Sequence, residues 1–513
     1  MASQKNGNRR KRVRNPRILI VTPEITYLPK GMGNMANNLR AKAGGLADVS
    51  ASLVTALFDL GADVHVALPH YRRMFHIDVG RFISHELRKY KEVLPNSRIH
   101  LAQDRAFYYR DEIYSNYHVE SHKVALAFQR EVINNIIPQV KPDLIHCNDW
   151  MTGLIPAAAR RLDLPSLFTV HNIHTQELTL ADVEESGIDA AEFWPYLFYG
   201  RMPYNYEETR DNNVIDFLAS GIFSAHFVNT VSETFLDEVC NGQHDFVPNN
   251  VMSELANKKN TGCASGILNA PDPTFNPQID QLIPFQYSSE DHVEGKQENK
   301  RQLQARLGLA KDPDAPLFFW PSRLDPLQKG PELLAHILYP VVSKYWKEKL
   351  QVVFVANGPY REAFHSIVRF HDMHKSVAVC DFDEELSHIA YAASDFTFMP
   401  SRFEPCGLPQ MISAIYGSLP IAHNTGGLHD TVTHLNIGQN TGNGFIFDVY
   451  DPSGLEWAID QAMFFHDHHA DIRQKVIKRV MEESVDEFNH SVTAKNYFDI
   501  YEKMLKRPIV APF

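Results

Sequence analysis

The segment MPSRFEPCGLPQ at 399–410 places a carboxylate, Glu404, directly before Pro405, Cys406 and Gly407. A turn of that composition leads into a helix start, where backbone N–H groups lack intrahelical partners. One carboxylate beside such donors suits the hydroxyls of a sugar. Cys406 has no base nearby in sequence, so it reads as small packing or a backbone donor rather than a nucleophile. Further on, Thr425, Gly426 and Gly427 open another helix with the glycine pattern that cradles phosphate. In FFWPSRLDPLQKG, Arg323 and Lys329 follow an apolar run. Two cations there would neutralise a leaving diphosphate, or else simply solvate a loop.

The amino-terminal half carries its own candidates. Lys42 with Gly44 and Gly45 stands before AGGLADVSASLVTALF, whose apolar spacing predicts a helix. That start either receives a phosphate or is plain structure. DLIHCNDWMTGL and FTVHNIHTQEL put Asp149, His171, Asn172 and Gln176 just after strand-like runs, where they could line a hydroxyl-binding cleft. His171 read alone is equally a satisfied structural residue. His171 and His174 lack a third ligand at metal-site spacing, so no metal site is expected.

The positioning elements are short β-branched runs alternating with helix-like segments. RILIVT, ADVHVAL, DLIHC, SLFTV and HFVNTV come first. After a polar, Pro-rich stretch at 269–297, the rhythm restarts with PLFFWPS, QVVFVAN, VAVCDF, DFTFMPS, LPIAHN and GFIFDV. This is the β-α-β alternation of two doubly wound parallel sheets, with the boundary expected near 272. Ligands in such sheets sit beyond the carboxyl ends of strands, where the candidate residues lie. At 513 residues the chain exceeds one ordinary core.

A formal net charge of −12 argues against a general nucleic-acid binder. No apolar stretch is long enough to cross a membrane. The five cysteines are scattered without a paired framework, which fits a reducing compartment and a cytoplasmic location. The basic residues 1–16 lack the apolar segment of a secretory signal and read as a flexible tail.

With these residues in view, the chain resembles bacterial glycogen synthases and plant starch synthases. The matching segments, in order, are KAGGLADV, CNDWMTGL, HNIHTQE, NTVSETF, GILNAPD, SRLDPLQKG, PSRFEPCGL and TGGLHDTV. The resemblance implies the GT-B fold: two Rossmann-like domains, at 17–271 on the acceptor side and 272–485 on the donor side, facing a central cleft. A final helix within 486–513 would cross back to the first domain. It implies a metal-independent, cofactor-free glucosyltransferase that extends an α-1,4-glucan with retention from ADP-glucose or UDP-glucose. Lys42, Gly44 and Gly45 would contact donor phosphate, and Asn269 of GILNAPD would join the donor side. Arg323 and Lys329 would stabilise the departing diphosphate, and His171 would hold the glucose 6-hydroxyl. Glu404 with the backbone of Cys406, Gly407 and Leu408 would hold the 3- and 4-hydroxyls. Thr425, Gly426 and Gly427 would bind phosphate, and Phe382 would stack on the base. Asp149, Asn172 and Gln176 would serve the acceptor or the cleft.

Several positions depart from the family pattern. Arg323 and Lys329 are one residue further apart than usual, the loop at 25–41 is longer, Met151 replaces a histidine, and Glu177 replaces a glycine. They bear on donor and acceptor identity. A related GT-B enzyme with another sugar nucleotide or a short acceptor is one alternative. A catalytically weak nucleotide-sugar-binding regulator is another. Oligomeric state is not readable.

Overall fold

A computed structural model describes residues 14–33, 39–43, 45–75, 98–114 and 118–510. Most of the basic tail, part of the 25–41 loop and Gly44 therefore lie outside the described residues. Two compact units divide the chain: Met1–Val228 with Ala494–Phe513, and Asn229–Thr493.

The first sheet has seven strands: β1 (Arg17–Val21), β2 (Asp63–Pro69), β3 (Ile99–Ala102), β4 (Leu144–Asn148), β5 (Ser166–Val170), β8 (Phe227–Thr230) and β9 (Ala264–Gly266). Their order is β3-β2-β1-β4-β5-β8-β9. β1 pairs in parallel with both β2 and β4, and β4 and β5 are buried along their whole length. Burial on both faces is why these strands read as continuous apolar runs instead of alternating ones. A small antiparallel pair, β6 (Glu177–Leu178) and β7 (Ile215–Asp216), lies outside this sheet. The division between the units falls within β8, and the boundary read near 272 lies just after β9, the last strand of this sheet.

The second sheet contains β10 (Leu317–Trp320), β11 (Gln351–Val355), β12 (Val377–Cys380), β13 (Phe396–Met399), β14 (Leu419–His423) and β15 (Phe445–Phe447), in the order β12-β11-β10-β13-β14-β15. Side chains alternate across a strand, and here each face has its own core. Phe318 and Trp320 enter one apolar cluster, with Val352 and Phe354. Leu317 and Phe319 enter the other, with Val353 and Val355.

Both orders reverse direction once, between β1 and β4 in the first sheet and between β10 and β13 in the second. At such a switch the loops leaving the two neighbouring strands diverge and open a crevice at their carboxyl ends. The loops after β1, β4, β10 and β13 are those carrying Lys42, Asp149, Arg323 with Lys329, and Glu404.

The C-terminal residues from Ala494 belong to the first unit. Tyr501 in the His490–Leu505 helix places its hydroxyl 2.7 Å from His146 Nδ1 on β4. Arg507 donates to Asp143 Oδ1 at 2.8 Å, while the other oxygen of that carboxylate accepts the Arg17 N–H.

Candidate active site

In the first unit the loop after β4 starts with Asp149, a non-glycine residue at φ 58°. This sparsely populated backbone aims the carboxylate at the loop after β5. Asp149 Oδ1 accepts the His171 N–H at 2.8 Å, and Oδ2 accepts from Asn172 Nδ2 at 3.0 Å. Burial pushes the carboxyl up to about 7, against the lowering effect of the His171 and Asn172 backbone N–H groups. His171 Nε2 lies 2.9 Å from Asn148 Oδ1, an acceptor, so its proton sits on Nε2 and Nδ1 is left to accept. Burial pulls His171 down to about 3. It is a neutral hydrogen-bonding group at physiological pH, unsuited to donating a proton as an acid. Asp149, His171 and Asn172 thus form one cluster. Gln176 pairs with two histidines, its Oε1 2.5 Å from His122 Nε2 and its Nε2 3.2 Å from His174 Nε2, and His174 donates its N–H to Asn172 Oδ1 at 2.8 Å.

Lys42 is exposed and paired with Asp48 of the Gly45–Asp59 helix at 2.8 Å, so the carboxylate of the first helical turn already meets its charge. Gly45 is the first residue of that helix. The segment is pinned by Glu24, which sequence reasoning missed. Glu24 is buried and accepts the Ala43 N–H at 2.7 Å and the Tyr114 hydroxyl at 3.1 Å. A lone acid directly after an apolar strand, in the PEIT segment, was the signal available.

In the second unit Lys329 Nζ lies 2.5 Å from Glu404 Oε2, which also accepts from Ser401 Oγ at 3.1 Å. Their side chains are 13% and 7% exposed, so this ion pair is largely out of water. The loop carrying Lys329 is shaped by Asp325, whose carboxylate accepts Leu327 N–H and whose carbonyl accepts Lys329 N–H, at 2.9 and 2.8 Å. Gly330 ends it at φ 69°, where a Cβ would come within 2.2 Å of Pro400 O. Arg323, on the same loop, is exposed and has no ion pair among the described residues.

Gly426 and Gly427 press against the Glu404 turn. A Cβ on either would lie 2.1 Å from Glu404 O or 2.0 Å from Cys406 O, respectively. Their N–H groups are engaged: Gly427 donates to Glu404 O at 2.9 Å, and Gly426 donates to Glu238 Oε1 at 2.9 Å. Thr425 Oγ1 also donates to the Glu238 carboxylate at 3.1 Å. Burial would raise the Glu238 carboxyl, but His244 at 2.9 Å and these donors hold it below its ordinary value. Glu238 was not singled out from sequence; its signal is an acid on the buried face of the Glu233–Cys240 helix, beside Phe235 and Val239.

Cys406 is buried, and burial pushes its thiol up to about 12. Gly407 takes φ 74°, and Leu408 precedes the Pro409–Ile415 helix. Gln410 Nε2 ties this turn to the next helix, its two N–H groups shared among Cys406 O, Gly407 O and Thr431 Oγ1. Asn269 is buried, and its Oδ1 has no hydrogen-bond partner among the described residues. Phe382 is 58% exposed, with its N–H on Asn357 Oδ1 at 3.1 Å, so the ring is free to stack.

The sequence profile described as starch synthase catalytic domain matches residues 17–253, and that of glycosyl transferases group 1 matches 302–479. The glycogen synthase of Moorella thermoacetica is 32% identical, with 97% of this chain and 98% of that protein covered. The glycogen synthase of Streptococcus pneumoniae strain JJA is 31% identical, covering 91% of this chain and 97% of its own. Among solved structures, the catalytic domain of starch synthase IV from Arabidopsis thaliana, bound to ADP and acarbose, superposes with a TM-score of 0.75 at 25% identity, covering 96% of this chain and 100% of that one. Sucrose-phosphate synthase from Thermosynechococcus elongatus shares the fold, with a TM-score of 0.55 at 17% identity, over 96% of this chain and 99% of that one. The chain belongs to the glycogen synthase and starch synthase family of glycosyltransferases, built from two parallel-sheet α/β domains of the GT-B type.

Proposed function

We propose that this protein transfers glucose, with retention, from a nucleoside diphosphate glucose to the non-reducing end of an α-1,4-glucan, with ADP-glucose the preferred donor. The observation that carries the proposal is the Lys329 and Glu404 pair at 2.5 Å, formed by the two loops that leave the strand-order switch of the second sheet. A cation and a carboxylate side by side suit a ligand with diphosphate at one end and hydroxyls at the other. Lys329 and Arg323 neutralise the diphosphate as the anomeric C–O bond breaks. Glu404 and the Cys406 to Leu408 turn hold sugar hydroxyls. Thr425 and Gly426 add phosphate donors when Glu238 releases them, Gly427 adds its own when it leaves Glu404 O, Asn269 joins the donor side, and Phe382 stacks on the base.

No nucleophile is required. The acceptor hydroxyl attacks on the face the diphosphate leaves, its proton passes to a departing phosphate oxygen, and nucleoside diphosphate is released. His171, neutral, contributes hydrogen bonding to the glucose 6-hydroxyl. Catalysis then rests on positioning and preorganised charge, and needs neither metal nor cofactor. The names of the curated relatives support the glucan acceptor, and the ADP in the Arabidopsis structure supports the adenine base.

The test is incubation with labelled ADP-glucose, UDP-glucose or GDP-glucose, with and without glycogen and EDTA. Label should enter polymer fastest from ADP-glucose, only when glycogen is present, and equally with EDTA. Absence of transfer from every donor sinks the proposal; EDTA sensitivity removes the metal-independent mechanism.

A further inference from the structure

The strand order of the second sheet puts β11 between β10 and β12, so the loop that leaves β11 lies between the loop carrying Arg323 and the loop carrying Phe382. Asn357, which opens this middle loop, bonds to both neighbours. Its carbonyl oxygen accepts the Leu324 N–H at 2.8 Å, directly after Arg323, and its side-chain Oδ1 accepts the Phe382 N–H at 3.1 Å. Gly358 then presses against the Arg323 loop at φ 139°, where a Cβ would fall 2.7 Å from Leu324 O.

The pairing of β11 with β12 runs out at this point. Val355 pairs with Cys380, and the Ala356 N–H still reaches Cys380 O at 3.1 Å. A continued parallel ladder would next give the Phe382 N–H to Ala356 O. The Asn357 side chain takes that N–H instead, while its own main chain turns toward Leu324. The residues flanking Phe382 have anchors of their own. Asp381 pairs with Arg361, an exposed contact of the kind that contributes little, and Asp383 Oδ1 caps the Glu384–Ala393 helix by accepting the Leu386 N–H at 2.6 Å. The bond to Asn357 is made at Phe382 itself.

A simple loop brace accounts for a bond from Asn357 to one neighbour. Two bonds from one residue, to the loop that meets the diphosphate and to the loop that meets the base, fix the span between them. We propose that Asn357 is a positioning residue for nucleotide selection, holding Phe382 at a set reach from Arg323 so that the ring is in place before the donor arrives. The inference rests on the donor reading above, in which Phe382 stacks on the base. A ring already in place does not have to be ordered on binding, and that saving appears as affinity. Stacking grows with the overlap of the two faces, so a purine gains more from a fixed ring than a pyrimidine does. Asn357 thereby favours ADP-glucose over UDP-glucose without touching either base.

The experiment is steady-state kinetics of the full chain at saturating glycogen, with ADP-glucose and with UDP-glucose, on Asn357→Ala, Phe382→Ala and the double variant. Asn357→Ala keeps the carbonyl bond to Leu324. It should raise the ADP-glucose KM about fivefold, the worth of an ordinary hydrogen bond, with kcat within about twofold of the parent. The UDP-glucose KM should rise less, so the preference for ADP-glucose narrows. In the Phe382→Ala background the Asn357 substitution should add nothing, because it acts through the ring. A collapse of the loop would instead lower kcat through Arg323 and add to the Phe382→Ala effect. Phe382→Ala with an unchanged ADP-glucose KM overturns the base-stacking reading and this proposal with it. A KM raised by Phe382→Ala but not by Asn357→Ala overturns the role of Asn357 alone, as does a fall in kcat, an equal rise for both donors, or additive effects in the double variant.

Discussion

Replacing Lys329 by alanine separates the two things its ammonium does. In the resting protein it neutralises Glu404, and with Glu404 only 5% exposed the carboxylate would be left buried with the Ser401 hydroxyl as its remaining partner. Breaking one side of a buried pair costs about 3–5 kcal/mol. For a domain of this size that corresponds to roughly 2–4 °C per kcal/mol, hence on the order of 6–12 °C in apparent unfolding midpoint at the low end. In turnover the ammonium meets charge that develops only as the diphosphate leaves, so its loss should lower kcat about 10²–10³-fold, with a smaller change in donor KM. The double variant Lys329→Ala/Glu404→Gln carries no uncompensated buried charge. It should recover most of the lost midpoint and none of the lost turnover. Calorimetry and labelled-glucose incorporation on the single and double variants make the measurement. A Lys329→Ala enzyme within fivefold of the parent kcat, or turnover restored by the second substitution, would refute the reasoning.

Other outcomes follow from the same geometry. Folded Asp149 titrates near 7 and an unfolded aspartate near 3.8. Its protonated form therefore favours the native state fully below about 3.8, and that advantage is lost as pH rises through 7. The unfolding midpoint of the parent relative to Asp149→Asn should fall between pH 4 and 8, whereas a pH-independent offset contradicts the assignment; the comparison cancels His171, which titrates in both proteins. Cys406, with its thiol near 12, is thiolate in only about one molecule in ten thousand at pH 8. Cys406→Ser should keep kcat within a few-fold, and mass mapping after iodoacetamide should leave Cys406 of the native protein unlabelled. Glu238→Gln replaces a charge-assisted grip on Thr425 and Gly426 by a neutral one, weaker by about 1 kcal/mol. Donor KM should fall about fivefold in steady-state assays, and a rise would make Glu238 a fixed brace.

All eleven apolar runs read from the sequence are strands of the two sheets, because strands buried over most of their length are rich in apolar residues. Short elements escaped: β3 has only the sequence IHLA, β9 only ASG, and β6 and β7 two residues each. β3 and β9 are only partly buried and carry no continuous apolar run, and two residues are too few to show a pattern. Residues on loops after strands, such as Asp149, His171, Lys329 and Glu404, were legible because the topology of a doubly wound sheet sends chemistry there. What each of them touches was not. Lys329 and Glu404 are 75 positions apart and Glu238 and Thr425 are 187 apart, and no local pattern announces such contacts. The engagement of the Gly426 and Gly427 N–H groups, and the pairing of Lys42 with Asp48, are equally products of packing that spacing alone does not encode.

The central claim is that the chemistry is glucosyl transfer with retention to an α-1,4-glucan end. The most direct measurement is to let the protein label glycogen from ADP-glucose and then digest the product with β-amylase, which cleaves α-1,4 linkages from the non-reducing end. The account predicts that the incorporated label is released as maltose, and that Glu404→Gln incorporates at least a hundredfold less. Label that resists β-amylase, or incorporation undiminished in Glu404→Gln, would contradict it.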